Sequence, residues 1–144
     1  MSGYDTQTLA DRAEITDLLV NLGRCLDDHD FDGLKDVFTE DVVGTTPAGT
    51  REGRQALIDQ ARRNHESYER LAHQVTSMLV DVDGDAASAR AYVTGAFGHA
   101  DSPEPVRVLV GQYRNKLVRT ADGWRISELT VRPVFRVGEP APAL

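Results

Sequence analysis

A change of hydrophobic rhythm at about Tyr68 constrains this chain more than any other feature of its sequence. Ahead of it, apolar residues recur every three or four positions. Ile15, Leu18, Leu19, Leu22, Cys25 and Leu26 do so between Leu9 and Leu26, the spacing that gives a helix one apolar face. Beyond Tyr68, valine, threonine and aromatic residues alternate with polar ones, the period of a half-buried strand. Helices first and an antiparallel sheet second define the α+β class.

Punctuation residues divide the two halves further. Asp30 sits where the N-cap of a short second helix belongs, ahead of Phe31, Leu34, Val37 and Phe38. Thr46-Pro47-Ala48-Gly49 reads as a loop, and a third helix is predicted from about Gly53 to Asn64. Turn signals at Asp83-Gly84-Asp85, Asp101-Ser102-Pro103 and Ala121-Asp122-Gly123 separate four strands of a meander: Ala72–Val82, Ala86–His99, Val106–Arg119 and Trp124–Val137. The 144 residues suit one domain over 1–138 with a loose Pro-rich tail over 139–144. A chain this long buries roughly 68–70% of its unfolded surface, enough for a core hollowed around a small ligand.

Charge and cysteine content disfavour several partners. The net charge of −7 is spread along the chain, whereas nucleic-acid binders concentrate Lys and Arg, so nucleic acid and anionic membranes are not expected. No apolar run approaches the roughly 20 residues of a membrane span, and MSGYDTQTLADRAE lacks the basic start and apolar core of a signal peptide. The single cysteine, Cys25, allows no intramolecular disulfide and no cysteine-rich metal site, which suits a cytoplasmic protein. Its place on the helix stripe predicts a buried residue rather than a nucleophile.

The segment RCLDDHDFDGL carries the densest group of candidate functional residues. Asp30 is explained as a cap, and Asp28 and Asp32 as solvated turn residues. Asp27 fits less well, because it follows Leu26 on the apolar stripe in the last helical turn, where the macrodipole disfavours a carboxylate. Asp28 to Gly33 also copies the opening of a calcium-binding loop, but Thr39 stands where the bidentate Glu is required, so no metal site is expected. Of the four histidines, His29 in the turn and His65 near a polar helix end are expected at the surface. His73 shares a strand face with Val75, Ser77 and Leu79, and structural and functional roles are both open to it. Ala87, Ala89, Ala91, Val93, Gly95, Phe97 and His99 share another face, whose small residues suit a close-packed helix or a cavity with Phe97 and His99 at its rim. The chain holds no GxSxG elbow, phosphate loop, HExxH or dinucleotide fingerprint, which leaves acid–base chemistry without a cofactor.

Three segments in this order, RCLDDHDFDGLKDVFTEDV, AHQVTSMLVDVDGDAASARAY and DGWRISELTVRPVFRVG, resemble the SnoaL-like branch of the superfamily named after nuclear transport factor two. That branch includes scytalone dehydratase, a bile-acid dehydratase and polyketide cyclases. The resemblance spans about Gln7 to Gly138 and implies a cone: helices closing over a strongly curved antiparallel sheet around an apolar pocket. It places Asp27 on a pocket aspartate and His73 on the catalytic histidine, with His99 close to a second pocket histidine and Arg132 near a functional arginine. The stretch Leu22-Gly23-Arg24-Cys25-Leu26 lacks the tyrosine that the dehydratases and ketosteroid isomerase carry, and Thr46 stands near the isomerase base. Tyr113 is the candidate replacement hydroxyl. The implied activity is a dehydratase, isomerase or cyclase acting on a hydrophobic cyclic ketone or polyketide-like molecule. The alternative is a lipophilic-ligand binding or oligomerisation module. A homodimer or homotrimer through the sheet is expected in either case.

Overall fold

The computed structural model describes residues 4–141. Its first helix, α1 (Thr6–Asp27), begins where the Asp5 carboxylate accepts the Thr8 backbone N–H at 2.7 Å. The predicted stripe is its buried face, with Ile15, Leu19 and Cys25 fully inaccessible. The expected second helix is a five-residue 3₁₀ turn, Asp32–Asp36. Asp30 still serves this turn, since one carboxylate oxygen accepts the Gly33 N–H at 3.0 Å and the other accepts from Arg24 at 3.0 Å. No room remains for a longer helix because Phe38 already opens a strand.

The strands are β1 (Phe38–Thr46), β2 (Gly49–Glu52), β3 (Arg70–Asp83), β4 (Ala86–Gly98), β5 (Arg107–Thr120) and β6 (Gly123–Gly138), with α2 (Arg54–His65) between β2 and β3. They form one sheet in the order β2-β1-β6-β5-β4-β3. The predicted meander occupies β3 to β6, and the Thr46 to Gly49 loop proves to be the turn of a β1–β2 hairpin that composition did not announce. The curved sheet is mixed rather than wholly antiparallel, because β1 pairs in parallel with β6. Such a pairing is available since a hairpin, a helix and three strands intervene, and no tight turn dictates direction.

Three irregularities in the meander redirect side chains. Between Thr76 and Leu79 the β3–β4 register slips, with Ser77 in the left-handed region at φ 55°. The expected face of His73, Val75, Ser77 and Leu79 therefore breaks at Ser77: Val80 turns inward and Leu79 is 65% exposed. Two further slips leave extra residues in β6, Ser127 opposite Lys116 and Leu117 and Val134 opposite Val110 and Gly111.

The sheet is tied to α1 through Asp11. Its carboxylate accepts two hydrogen bonds from Arg119 on β5, at 2.7 and 2.8 Å, and the indole N–H of Trp124 on β6 at 3.1 Å. Beyond β6 the chain is irregular over 139–141, where the Glu139 N–H donates to the Val106 carbonyl at 2.8 Å, and the remainder of the expected tail lies outside the described residues.

The Arg119 hydrogen bonds, ahead of that from Trp124, hold the Asp11 carboxyl well below the usual carboxylate range. Folded Asp11 thus binds a proton more weakly than unfolded Asp11, so its contribution is complete above the unfolded value and fades as pH falls through the folded one. In urea titrations, wild type is expected to lose stability more steeply below about pH 4 than Asp11→Asn, whose side chain does not titrate.

Candidate active site

The end of α1 meets β3, an edge strand whose outward amides need acceptors. Gly23 permits the approach, since a Cβ there would lie 3.3 Å from His73 Cβ. One turn further on, Asp27 Oδ2 accepts the His73 backbone N–H at 3.0 Å and Oδ1 contacts His73 Nδ1 at 2.6 Å. An ionised carboxylate only accepts, so Nδ1 carries the proton and Nε2 keeps its lone pair. The ring is buried, with 5% of its side chain accessible against 25% for Asp27. Gly95, opposite His73 on β4, keeps the Nε2 edge clear: a Cβ there would sit 3.2 Å from Nε2.

That edge opens on a cavity of about 520 Å³ between α2 and the inner face of the sheet. Leu22 and Leu26 of α1, Val93 and Phe97 of β4 and Tyr113 of β5 line it, and Phe97 meets the His73 ring edge-on at 5.4 Å. The volume suits a small organic ligand. Burial, reinforced by the charge of Asp27, pushes the Tyr113 phenol up to about 12, so it stays protonated and can donate. The small-residue face of β4 serves both purposes left open by its pattern. Ala87, Ala89 and Ala91 join the packed core with Ile15, Leu18 and Leu19, while Val93, Gly95 and Phe97 line the cavity. A second hollow, of about 470 Å³, has Arg12, Arg90, Lys116 and Glu128 among its lining residues and contains neither member of the pair.

Two expected pocket residues lie elsewhere. His99 falls beyond the end of β4, where alternation no longer directs it; it is half-exposed, stacks on Tyr68 and approaches the Glu69 carboxylate at 3.4 Å. Arg132 pairs with Gln112 and is exposed rather than in the cavity lining. The extra residue at Ser127 shifts the inward set from Trp124 and Ile126 to Leu129, Val131 and Pro133 and so leaves Arg132 outside, and the extra residue at Val134 reverses the alternation again and brings Arg136 to the cavity wall. Thr46 does line the cavity.

Besides Arg136, two basic residues of the cavity escaped the sequence reading. His65, expected at the surface, stands 5.2 Å from the His73 ring and 5.6 Å from Phe97. The signal was present: Leu57, Ala61 and His65 recur at four-residue intervals on one face of α2. Its Nδ1–H donates to the Ala61 carbonyl at 2.7 Å, leaving Nε2 as an acceptor. Burial, then repulsion from His73, pushes its pKa down to about 4. Arg107 is the other, 8% exposed with its guanidinium 4.7 Å above the Phe97 ring centroid.

The profile of the SnoaL-like domain matches residues 7–130. The chain belongs to that family. An uncharacterised protein of Mycobacterium tuberculosis, Rv2910c, is 35% identical over 123 residues, 82% of each chain. Among solved structures, a candidate aromatic ring hydroxylase of Novosphingobium aromaticivorans superposes with a TM-score of 0.79 at 28% identity, covering 91% of this chain and 94% of the other. A candidate scytalone dehydratase from the same organism gives 0.82 at 19% identity over 93% and 92%. The SnoaL-like fold here is that of the nuclear-transport-factor-2-like superfamily. Among the described residues no helix is long and apolar enough to cross a membrane.

The lowered His65 pKa has a definite consequence for stability. Unfolded His65 takes up a proton near pH 6.5, whereas the folded form resists until about 4, so acidification across that window favours unfolding. His65→Phe retains a ring against Phe97 and removes the titration. Denaturant titrations from pH 7 to pH 4 are expected to show a shallower fall for His65→Phe than for wild type.

Proposed function

We propose that this SnoaL-like protein is a cofactor-independent acid–base enzyme that eliminates water from a hydrophobic cyclic ketone or polyketide-like molecule, or carries out a related isomerisation or cyclisation. One observation carries the reading: the Asp27–His73 pair, with Nε2 facing an apolar cavity. An imidazole whose charge changes near neutral pH is suited to removing a proton beside a carbonyl. His73 Nε2 takes that proton while Asp27 fixes the tautomer and balances the imidazolium. Tyr113 donates to the oxygen on which enolate charge develops. The imidazolium then returns its proton to the departing hydroxyl, so water leaves and the base is regenerated. Cavity walls of Leu, Val and Phe keep bulk water from competing. The buried, unpaired thiol of Cys25 suits a cytoplasmic setting for this chemistry.

A second reading has its own support. Leu22 and Leu26 line the cavity from α1, and this helix offers no tyrosine to polarise a carbonyl, which suits a lipophilic-ligand carrier. Elimination from a panel of bicyclic β-hydroxyketones, followed as the rise in conjugated-enone absorbance, separates the two. Turnover in wild type that falls by about 10²–10⁴ in His73→Ala, with a large loss in Asp27→Asn, is the expected result. Equal turnover in wild type and both variants removes the pair from the mechanism, and binding of the ketones without turnover favours the carrier.

We also propose that copies associate through the outer face of the sheet as a dimer or trimer. The bulges leave Leu79, Phe135 and Val137 exposed there at 65%, 69% and 69%, beside Tyr92. Light scattering is expected to show an oligomer for wild type and a shift toward monomer for Phe135→Asp. A monomeric wild type refutes the association.

A further inference from the structure

We infer that the cavity takes a substrate bearing a carboxylate, held by Arg107, which lies over the face of Phe97, with Arg136 beside it. The inference rests on the cavity being the ligand site of the proposed function and adds the class of molecule it admits.

The observation behind it is an unbalanced cation. Arg107 is more than nine-tenths buried, and its Nε has no hydrogen-bond partner among the described residues. A guanidinium removed from water normally retains a carboxylate or a full set of acceptors, because desolvation otherwise outweighs what the fold returns. Here the face of Phe97 and the neighbouring Tyr68 hydroxyl offset part of that penalty, and burial still lowers the Arg107 pKa. No Asp or Glu lines the cavity among the described residues. Instead Arg136 lines it from β6, where its strand neighbour is Leu109, and adds repulsion to the same guanidinium. Two cations around an apolar hollow create a field that an anion relieves, and the planar guanidinium fork matches a carboxylate.

Asp27 does not fill this role, because both of its oxygens are engaged by His73. Asn64, whose buried Oδ1 also lacks a partner, lines the same cavity and offers an acceptor for a hydroxyl. Phe97 links Arg107 to His73: its face lies under the former and its ring meets that of the latter. A small molecule anchored by its acid on Arg107 would therefore lay its ring system along Phe97 toward Nε2.

The test uses two probes of one shape, 2-naphthoate and its neutral isostere 2-naphthamide, with binding to the full chain followed by calorimetry. Wild type is expected to favour the acid by about tenfold or more, with a preference that shrinks as salt is raised. The ratio should fall to about one in Arg107→Met and partway in Arg136→Gln, an exposed position that keeps the experiment informative if the buried variant fails to fold. Equal affinity of wild type for both probes overturns the carboxylate site and leaves the acid–base reading intact. A preference that persists in Arg136→Gln and in folded Arg107→Met overturns the assignment to these arginines. Binding of neither probe overturns the inference, and failure of the ketone elimination assay as well would remove the cavity's functional reading with it.

Discussion

The two-pronged contact between Asp27 and His73 is the point on which the rest of this structure turns. It joins the last turn of α1 to an edge strand that would otherwise present an unpaired amide. A carboxylate at a helix C-terminus is unfavourable by about 0.3–1 kcal/mol when exposed. Two hydrogen bonds, one to a backbone N–H and one to an imidazole, more than offset a penalty of that size. The same contact is structural and chemical at once. It closes the seam between helix and sheet, and it fixes which ring nitrogen looks into the cavity.

Glycines make the contact possible by being absent as side chains. Gly23 brings α1 against His73, and Gly95 leaves the Nε2 edge open from β4. A methyl at either position presses on His73 from opposite sides. The ring is thus held by hydrogen bonds on its Nδ1 side and left clear on its Nε2 side, an arrangement that in the proposed reaction requires little reorganisation when the proton moves.

Around this pair the cavity sorts its polar groups by protonation state. Tyr113 stays a donor because burial raises it, His65 stays an acceptor because burial lowers it, and Arg107 stays charged in spite of burial. All three lie among apolar walls, where each hydrogen bond counts for more than it would in water. For the proposed ligand, such a set reads where its donors, acceptors and charges fall, which greasy walls alone would not do.

Much of this was legible in the one-dimensional pattern. The apolar stripe of α1, the alternation of β4, the turn dipeptides and the awkward place of Asp27 are local properties, repeated often enough to survive any tertiary context. The segment resemblance linked Asp27 with His73, which spacing by itself had no means of doing. Other features depended on single residues in three dimensions. A slipped residue at Ser127 turned Arg132 outward, one at Val134 turned Arg136 inward, and one at Ser77 turned Leu79 outward, because a period of two reverses with every insertion. His99 left the cavity because its strand ended one residue earlier. His65 entered it because α2 lies across the sheet, a packing decision that no helical stripe specifies. The sequence by itself therefore determined α1, α2 and the four strands of the meander, and the buried face of α1. Only the tertiary structure decided the bulges, the parallel β1–β6 pairing and the cations in the cavity, since these follow from register between segments distant along the chain.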